Sequence, residues 1–474
     1  MVGGDPGRRY SPIPPYPWLC QPPPTNRRLK GKLSIRIHSC GAIGIRQRTI
    51  ALQTLGCKLN QAESESIARQ LSEKGYHLVP PSHSPEVYIL NTCTVTHIAD
   101  RKSRHLLRAA RRNNPHATIV AMGCYAERNP QEIIDTTGTN IVIGNKDKDH
   151  FIHILEHHGV LENGDALCNQ MLRTRSLIEI QQGCSQFCSY CVVPLTRGKE
   201  RSIPLDTTIA EVKARVQDGR HEVVLTGTRI GTYERGLETL IRHILNETSV
   251  ERLRLSSLLP NEITDELLSL WRDNRLCRHL HIPLQSGCDH VLQRMRRPYS
   301  INDYNRTIDR IREAIPGVAI TTDIIVGFPG ETRDEFAASY NFCQRMGFAN
   351  IHVFPYSERP DTPAALLRDK VDERVKRERC SVMLKLAREC SSNFREKSKY
   401  HTMTVLWERR VNSRLWTGLT DNYIRVITSS DAPLKNQLTA VKLVSISDTT
   451  KPGFTKELVA WPAISNKTQG NLDM

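Results

Sequence analysis

From Thr49 onward, short apolar runs alternate with segments whose apolar positions recur at helical spacing. Ile50–Leu55, Val87–Asn91, Thr118–Met122 and Asn140–Ile143 read as strands. Between them, Ala62–Lys74 reads as a helix stopped by Gly75, and His97–Arg112 as a basic helix stopped by Asn113-Asn114-Pro115. Strands alternating with helices imply a parallel sheet covered on both faces. This predicts a doubly wound α/β domain over residues 49–165. The same alternation returns six times further on, with strands at Ile178–Gln182, Glu222–Thr226, Arg252–Ser256, His279–Pro283, Ala319–Val326 and Ile351–Pro355. Helical segments such as Pro204–Asp218 and Ile301–Ala314 fall between them, and a long charged helix follows Asp372. Six such units predict a partial (β/α)6 barrel over residues 170–398, with chemistry at the C-terminal ends of its strands. Thr402–Trp407, Leu415–Thr420, Tyr423–Ile427 and Thr439–Ser447 are short strands between polar turns, which predicts a small antiparallel β-barrel over 400–462. The expected fold class is therefore α/β multidomain with a β-barrel tail.

Residues 1–48 break this pattern. They hold 8 of the 26 prolines and nine Lys/Arg against the single acid Asp5, and they lack apolar periodicity. We read them as a disordered basic, proline-rich tail. An organelle transit peptide would also be Arg-rich, but Pro22-Pro23-Pro24 argues against an amphipathic helix. The whole chain has 474 residues, with 66 Lys+Arg against 50 Asp+Glu, a formal charge of +16. Half of that charge lies in the tail. No stretch reaches the ~18 apolar residues of a spanning helix, and no secretory signal opens the chain. A cytoplasmic protein with no membrane partner is expected.

Composition adds one unusual number, fourteen cysteines. In a reducing compartment clustered cysteines are more often metal or redox ligands than bridges. Gly183-Cys184-Ser-Gln-Phe-Cys188-Ser-Tyr-Cys191 is a C-x3-C-x2-C loop directly after a predicted strand. Thiolates at such spacing suit zinc or iron–sulfur. A structural zinc site normally takes four protein ligands, and no fourth Cys or His follows at short range. Three ligands leave a metal position open, as catalytic centres do. A looser set comprises Cys57, Cys93 and Cys124, each just after a strand of the first domain. The C-terminal ends of parallel strands converge on one edge, so these three can meet in space. Three ordinary buried cysteines are the alternative. Cys168, Cys277, Cys288, Cys343, Cys380 and Cys390 fit no ligand position, and Cys20 and Cys40 lie in the tail.

On the Cys184–Cys191 loop the chain resembles the radical S-adenosylmethionine enzymes, whose signature is this spacing after the first barrel strand. The resemblance implies a 4Fe-4S cluster held by Cys184, Cys188 and Cys191, with S-adenosylmethionine chelating the fourth iron. It further implies that Phe187 and Tyr190 shield the cluster near the adenine, and that backbone at Thr226 and Gly227 binds the cofactor's amino group. Ser256, followed by Ser257, would reach its carboxylate or ribose. Gly327 and Gly330, in Gly-Phe-Pro-Gly-Glu, would line the adenine pocket. Thr54-Leu-Gly-Cys-Lys-Leu-Asn-Gln61, Asn91-Thr-Cys-Thr-Val-Thr96 and Met122-Gly-Cys-Tyr-Ala126 resemble the N-terminal domain of the methylthiotransferases. That resemblance covers residues 50–445 and implies a second, auxiliary 4Fe-4S cluster on Cys57, Cys93 and Cys124.

Three substrate classes exist in that family: isopentenyladenosine in tRNA, threonylcarbamoyladenosine in tRNA, and an aspartate of a ribosomal protein. Gly56-Cys-Lys58-Leu59-Asn60 and Tyr356-Ser-Glu-Arg-Pro-Asp361-Thr-Pro363 look most like the threonylcarbamoyl branch. The isopentenyl branch usually carries Gln-Met at Lys58-Leu59 and Gly at Asp361. The resemblance thus implies radical methylthiolation at C2 of N6-threonylcarbamoyladenosine 37, in the tRNA anticodon stem-loop. C2–H is inert to acid–base chemistry, hence the radical. A reducing flavodoxin- or ferredoxin-like donor and a sulfur source are implied as further partners. The tail barrel resembles the TRAM RNA-binding module, although its second half departs from the pattern at Asn436-Gln437-Leu438. The arginines of His97–Arg112 are candidates for phosphate contacts, or simply a solvated face. A zinc-stabilised, non-catalytic RNA-binding protein is the rival from another class.

Overall fold

The computed structural model describes residues 48–161, 174–447 and 457–462. The expected tail, apart from its last residue, and Cys20, Cys40 and Cys168 lie outside them. The first domain has five parallel strands: β1 (Thr49–Thr54), β2 (His77–Leu78), β3 (Val87–Thr92), β4 (Thr118–Gly123) and β5 (Ile141–Ile143), in the order β2-β1-β3-β4-β5. Neighbouring residues along each strand serve opposite faces. Ile50, Ile89, Val120 and Met122 pack with Ile67 and Leu71 of the helix Lys58–Glu73 and with Phe151 and Leu155. Ala51, Leu90, Ile119 and Ala121 pack on the other face with Leu107 and Ile133. The sheet is therefore doubly covered, as the sequence predicts. The first helix begins at Lys58, four residues before the expected Ala62, with Cys57 as its N-cap.

The middle domain contributes β6 (Arg175–Gln182), β7 (Arg201–Ser202), β8 (Glu222–Gly227), β9 (Arg252–Leu255), β10 (His279–His281), β11 (Ala319–Val326) and β12 (Asn350–Pro355). All six expected strands are present. They form two hydrogen-bonded sheets, β7-β6-β8-β9 and β10-β11-β12, joined by single bridges at Leu253–Leu276 and Ser257–His281. Only β7, a two-residue strand that the sequence reading missed, runs antiparallel to its neighbour. Capping boxes open two of the covering helices, Ser300 with Asp303 and Thr332 with Glu335. Ala62 of the first domain packs on Leu177 and Val224, so the helix Lys58–Glu73 seats against β6 and β8.

The tail strands β13 (Thr402–Arg410), β14 (Leu415–Thr420), β15 (Arg425–Ser429), β16 (Leu438–Ser447) and β17 (Glu457–Pro462) close a barrel in the order β13-β14-β15-β17-β16. One correction applies to the expected antiparallel barrel: β15 and β17 pair in parallel. Up-and-down alternation cannot be sustained around a ring of five strands, so one joint must be parallel. No helix among the described residues is long and apolar enough to cross a membrane.

Main-chain carbonyls dock this barrel on the middle domain. Arg252 and Arg254, two apart on β9, share a face and enclose Glu222 at the start of β8. Glu222 is fully buried and meets both guanidinium groups at 2.8 Å. The remaining donors reach the tail: Arg252 donates to the carbonyls of Leu419 (3.1 Å) and Thr420 (2.7 Å), and Arg254 to that of Asp421 (2.9 Å). Burial alone would raise the Glu222 carboxyl, but Arg254 and Arg252 outweigh it and bring it down to about 2. Its stabilisation is thus complete above the usual carboxylate range and is lost as pH falls through that range towards about 2. Glu222→Gln strips two buried cations of their counter-charge and is expected to cost about 3–5 kcal/mol. A lowered urea midpoint, followed by tryptophan fluorescence, is the measurement.

Candidate active site

The three cysteines of the first domain meet at the C-terminal edge of its sheet. Gly56 turns with φ +105°, and a Cβ there would lie 2.8 Å from the Cβ of Cys93 and 3.1 Å from its Sγ. Only glycine lets the Cys57 loop come this close. Gly123, at φ +99°, does the same for Cys124: a Cβ would meet Asn91 Oδ1 at 2.4 Å. Asn145 Nδ2 donates to Cys124 Sγ at 3.5 Å, and the Cys57 thiol donates to Asn60 Oδ1 at 3.5 Å. Cys57 opens into a cavity, whereas Cys93 and Cys124 are buried. Cys57 is the N-cap of a sixteen-residue helix, but burial outweighs Arg197 and pushes its thiol up. Burial pushes the Cys93 thiol up to about 12, so metal loading there must displace a proton.

The second triad occupies the loop after β6. Gly183 has φ +77°, and a Cβ on it would lie 1.9 Å from the Lys199 carbonyl oxygen. Cys184 N donates to Gly198 O (3.0 Å), Ser189 N to Met295 O (3.1 Å), and Ala364 N to Ser189 O (2.7 Å), which fastens the loop at both ends. Arg297 Nη1 donates to Cys188 Sγ at 3.3 Å and so brings a positive charge to the thiol. Burial pushes Cys191 up to about 12. In neither triad do all three sulfurs lie within 4.8 Å of one another. Thiolates around one zinc, at ~2.3 Å each, would sit only ~3.8 Å apart. As the sulfurs stand, neither triad is drawn in around a single ion.

Glu63 joins the two triads. On the helix that Cys57 caps, it binds Arg197 Nη1 at 2.7 Å and Lys148 Nζ at 2.5 Å, with all three side chains almost fully buried. Arg197, six residues beyond Cys191, also donates to Asn60 Oδ1 at 2.7 Å. Burial would raise Glu63, but the two cations dominate and bring it down to about 2.

A cavity of about 690 Å³ lies between the three domains, lined by Cys57, Lys58, Thr226, Gly227, Ser256, Ser257, His279 and Tyr423 among others. Thr226, Gly227 and Ser256 are thus at the cavity wall. Ser256 Oγ is buried without a hydrogen-bond partner, which suits a polar ligand. Tyr190 packs against Phe328 in a small cluster with Tyr356, whereas Phe187 is 65% exposed. Gly327 and Gly330 do not line this cavity: a Cβ on Gly327 (φ +71°) would strike Lys376 Cγ at 2.3 Å, and Gly330 N donates to Asp369 O at 2.6 Å.

Sequence reasoning places His352, at the sixth strand, on the active-site face, but it missed His279 and His281. Asp323 takes His281 Nε2 at 3.3 Å and His352 Nδ1 at 3.1 Å, and the pair outweighs burial to hold its carboxyl well below the usual range. His279 stacks on Tyr423 at 4.5 Å, and burial, with Arg254 and Lys58 nearby, holds it neutral. The available signal was His279-Leu-His281 at the end of a predicted strand, where both side chains share one face. The basic helix, in turn, is largely committed to its own domain. Arg104 pairs with Glu132 (2.7 Å), Arg108 donates to Thr136 O (2.8 Å), and Arg111 holds the carbonyls of Pro115, Ala117 and Gly138. Arg101, Lys102 and Arg112 remain exposed.

Residues 49–144 match the model of Uncharacterized protein family UPF0004, and residues 178–343 that of the Radical SAM superfamily. The threonylcarbamoyladenosine tRNA methylthiotransferase MtaB of Bacillus subtilis (strain 168) is 36% identical over 422 residues, 84% of this chain and 94% of that protein. A tRNA-2-methylthio-N(6)-dimethylallyladenosine synthase of Acetivibrio thermocellus is 30% identical, over 85% of this chain and 89% of its own. The radical S-adenosylmethionine methyltransferase TsrM of Kitasatospora setae, solved with cobalamin and a 4Fe-4S cluster bound, shares the fold with a TM-score of 0.52. It is 15% identical, over 68% of this chain and 77% of that one.

Gly183→Ala forces the cysteine loop off the Lys199 carbonyl. It is expected to lower S-adenosylmethionine cleavage about 100-fold and to reduce bound iron after anaerobic reconstitution. Gly219→Ala, at a similar φ of +78° but with nothing within 4 Å, should leave both unchanged.

Proposed function

The chain belongs to the radical S-adenosylmethionine methylthiotransferases, and we propose that it adds a methylthio group to C2 of N6-threonylcarbamoyladenosine at position 37 of tRNA. The observation that carries the reading is a pair of thiol triads on two domains, locked together through Glu63 and Arg197 beside an interdomain cavity. The threonylcarbamoyl assignment is supported by the relatives whose names state that substrate. It is also supported by Asp361, held at φ +65°, where the isopentenyl branch usually has glycine.

Cys184, Cys188 and Cys191 would hold the 4Fe-4S cluster that S-adenosylmethionine joins, and Cys57, Cys93 and Cys124 a second cluster. When bound, these groups would supply the electron that cleaves S-adenosylmethionine, so that its adenosyl part takes the hydrogen atom from C2, and a carrier for the incoming sulfur. The protein's own part is positioning. Arg297 offsets negative charge at Cys188. Thr226, Gly227 and Ser256 offer hydrogen-bonding groups to the cofactor at the cavity wall, with Tyr190 behind the loop. Neutral His279, stacked on Tyr423, gives the cavity a flat wall against which a base can rest. The tail barrel is TRAM-like and would grip the anticodon stem-loop, together with Arg101, Lys102 and Arg112. A flavodoxin- or ferredoxin-like donor and a sulfur source complete the reaction, in the cytoplasm.

Nucleoside mass spectrometry of tRNA with and without the gene tests the substrate. The 2-methylthio-threonylcarbamoyl nucleoside should vanish on deletion, and its persistence would refute the assignment. In the purified enzyme, Cys188→Ala should abolish 5′-deoxyadenosine formation. Cys93→Ala should retain it while product falls to background; normal product in that variant would remove the role given to the second triad.

A further inference from the structure

The end of the cavity nearest the tail barrel carries more positive charge than it balances. Besides Arg395, which is engaged by Ser391 at 2.8 Å, six cations gather there: Lys58, Arg175, Arg252, Arg254, Arg278 and Arg425. Three carboxylates answer them. Glu222 is shared by Arg252 and Arg254 at 2.8 Å. Glu408 takes Arg175 at 2.7 Å and Arg425 at 3.2 Å, and Asp421 takes Arg278 at 2.6 Å. Asp323, also on the cavity wall, is occupied by its two histidines. Lys58 is the cation left over: among the described residues no carboxylate pairs with it, and its Nζ stands 5.9 Å from the centre of the Tyr423 ring. Desolvated charge in excess of its partners is costly, and an anionic ligand relieves that cost.

Lys58 also directly follows Cys57, and both line the same cavity. An anion held by Lys58 is therefore held beside the first-domain triad. The threonylcarbamoyl group is attached through threonine's nitrogen and so keeps a free carboxylate, whereas a dimethylallyl group is neutral and apolar. We propose that Lys58 binds the threonyl carboxylate of the substrate and thereby selects the threonylcarbamoyl nucleoside over its uncharged counterparts. The inference rests on the function proposed above. Tyr423, which lies over Arg175 and Arg254 at 5.5 and 4.8 Å as well, forms the floor of this subsite and shields the ammonium from water.

The test uses reconstituted holoenzyme and two anticodon stem-loop RNAs. One carries threonylcarbamoyladenosine and the other its carboxyl methyl ester, which differs only in lacking the charge. Unaltered enzyme should bind the acid about 10- to 100-fold more tightly than the ester, the range of a charge-assisted hydrogen bond. Lys58→Met should bind the two RNAs alike, with the loss confined to the acid and expressed in KM more than in kcat. Lys58→Arg should restore most of the preference. If the acid-over-ester preference survives in Lys58→Met, or if acid and ester binding fall together, Lys58 serves the cofactor or an RNA phosphate and the proposal is overturned. If unaltered enzyme leaves the threonylcarbamoyl RNA without a methylthio group, the function proposed above fails, and this inference with it.

Discussion

A buried ion pair across a domain boundary, Glu63 with Arg197, is the constraint on which the rest of the site depends. Two triads on separate domains are useful together only if their separation is fixed. The helix Lys58–Glu73 is capped by Cys57 and carries Glu63 less than two turns later; Arg197 ends the short helix that follows Cys191. One carboxylate thus ties the first cysteine of one triad to the last cysteine of the other. Such pairs contribute little net stability, because desolvation offsets their attraction, but they penalise every misaligned alternative. Asn60 extends the lock by donating to Leu55 O and Thr92 O, which fixes the loops of two cysteines.

A second joint, around Glu222, follows different rules. Side chains of the middle domain grasp backbone carbonyls of the tail barrel, so most of that contact does not depend on which residues the tail carries at 419 and 420. The barrel surface is therefore free to change while its docking persists. That suits a module whose outer face can vary while its inner end, through Tyr423, lines the cavity.

What was legible in the sequence follows from what kind of signal each feature leaves. Parallel strands buried on both faces are continuous apolar runs, so six of the seven middle strands could be read directly. The six cysteines were legible because strand ends converge and glycine precedes three of the six. Charged residues were harder. Arg104, Arg108 and Arg111 look like an RNA-facing stripe, but satisfying carbonyls and an acid consumes them. Arg252 and Arg254, inside a predicted central strand, were the opposite case. A strand without a solvent face cannot carry free arginines, so a buried partner was implied, yet its identity required the register of Glu222 against Arg252. Strand β17 is separated in sequence from β16 by nine residues and ends in proline. Nothing local showed that it closes a ring.

That closing strand also sets an order of events during synthesis. The barrel lacks a stave until Glu457–Pro462 exists, whereas Arg254 is made 208 residues before Pro462. At ~5–20 residues per second the ribosome needs roughly 10–40 s to cover that distance. Throughout the interval the middle domain holds two arginines whose carbonyl acceptors have no settled position, and the far wall of the cavity is missing. Until translation nears its end, the cavity therefore stays open on the side where Tyr423 will stand.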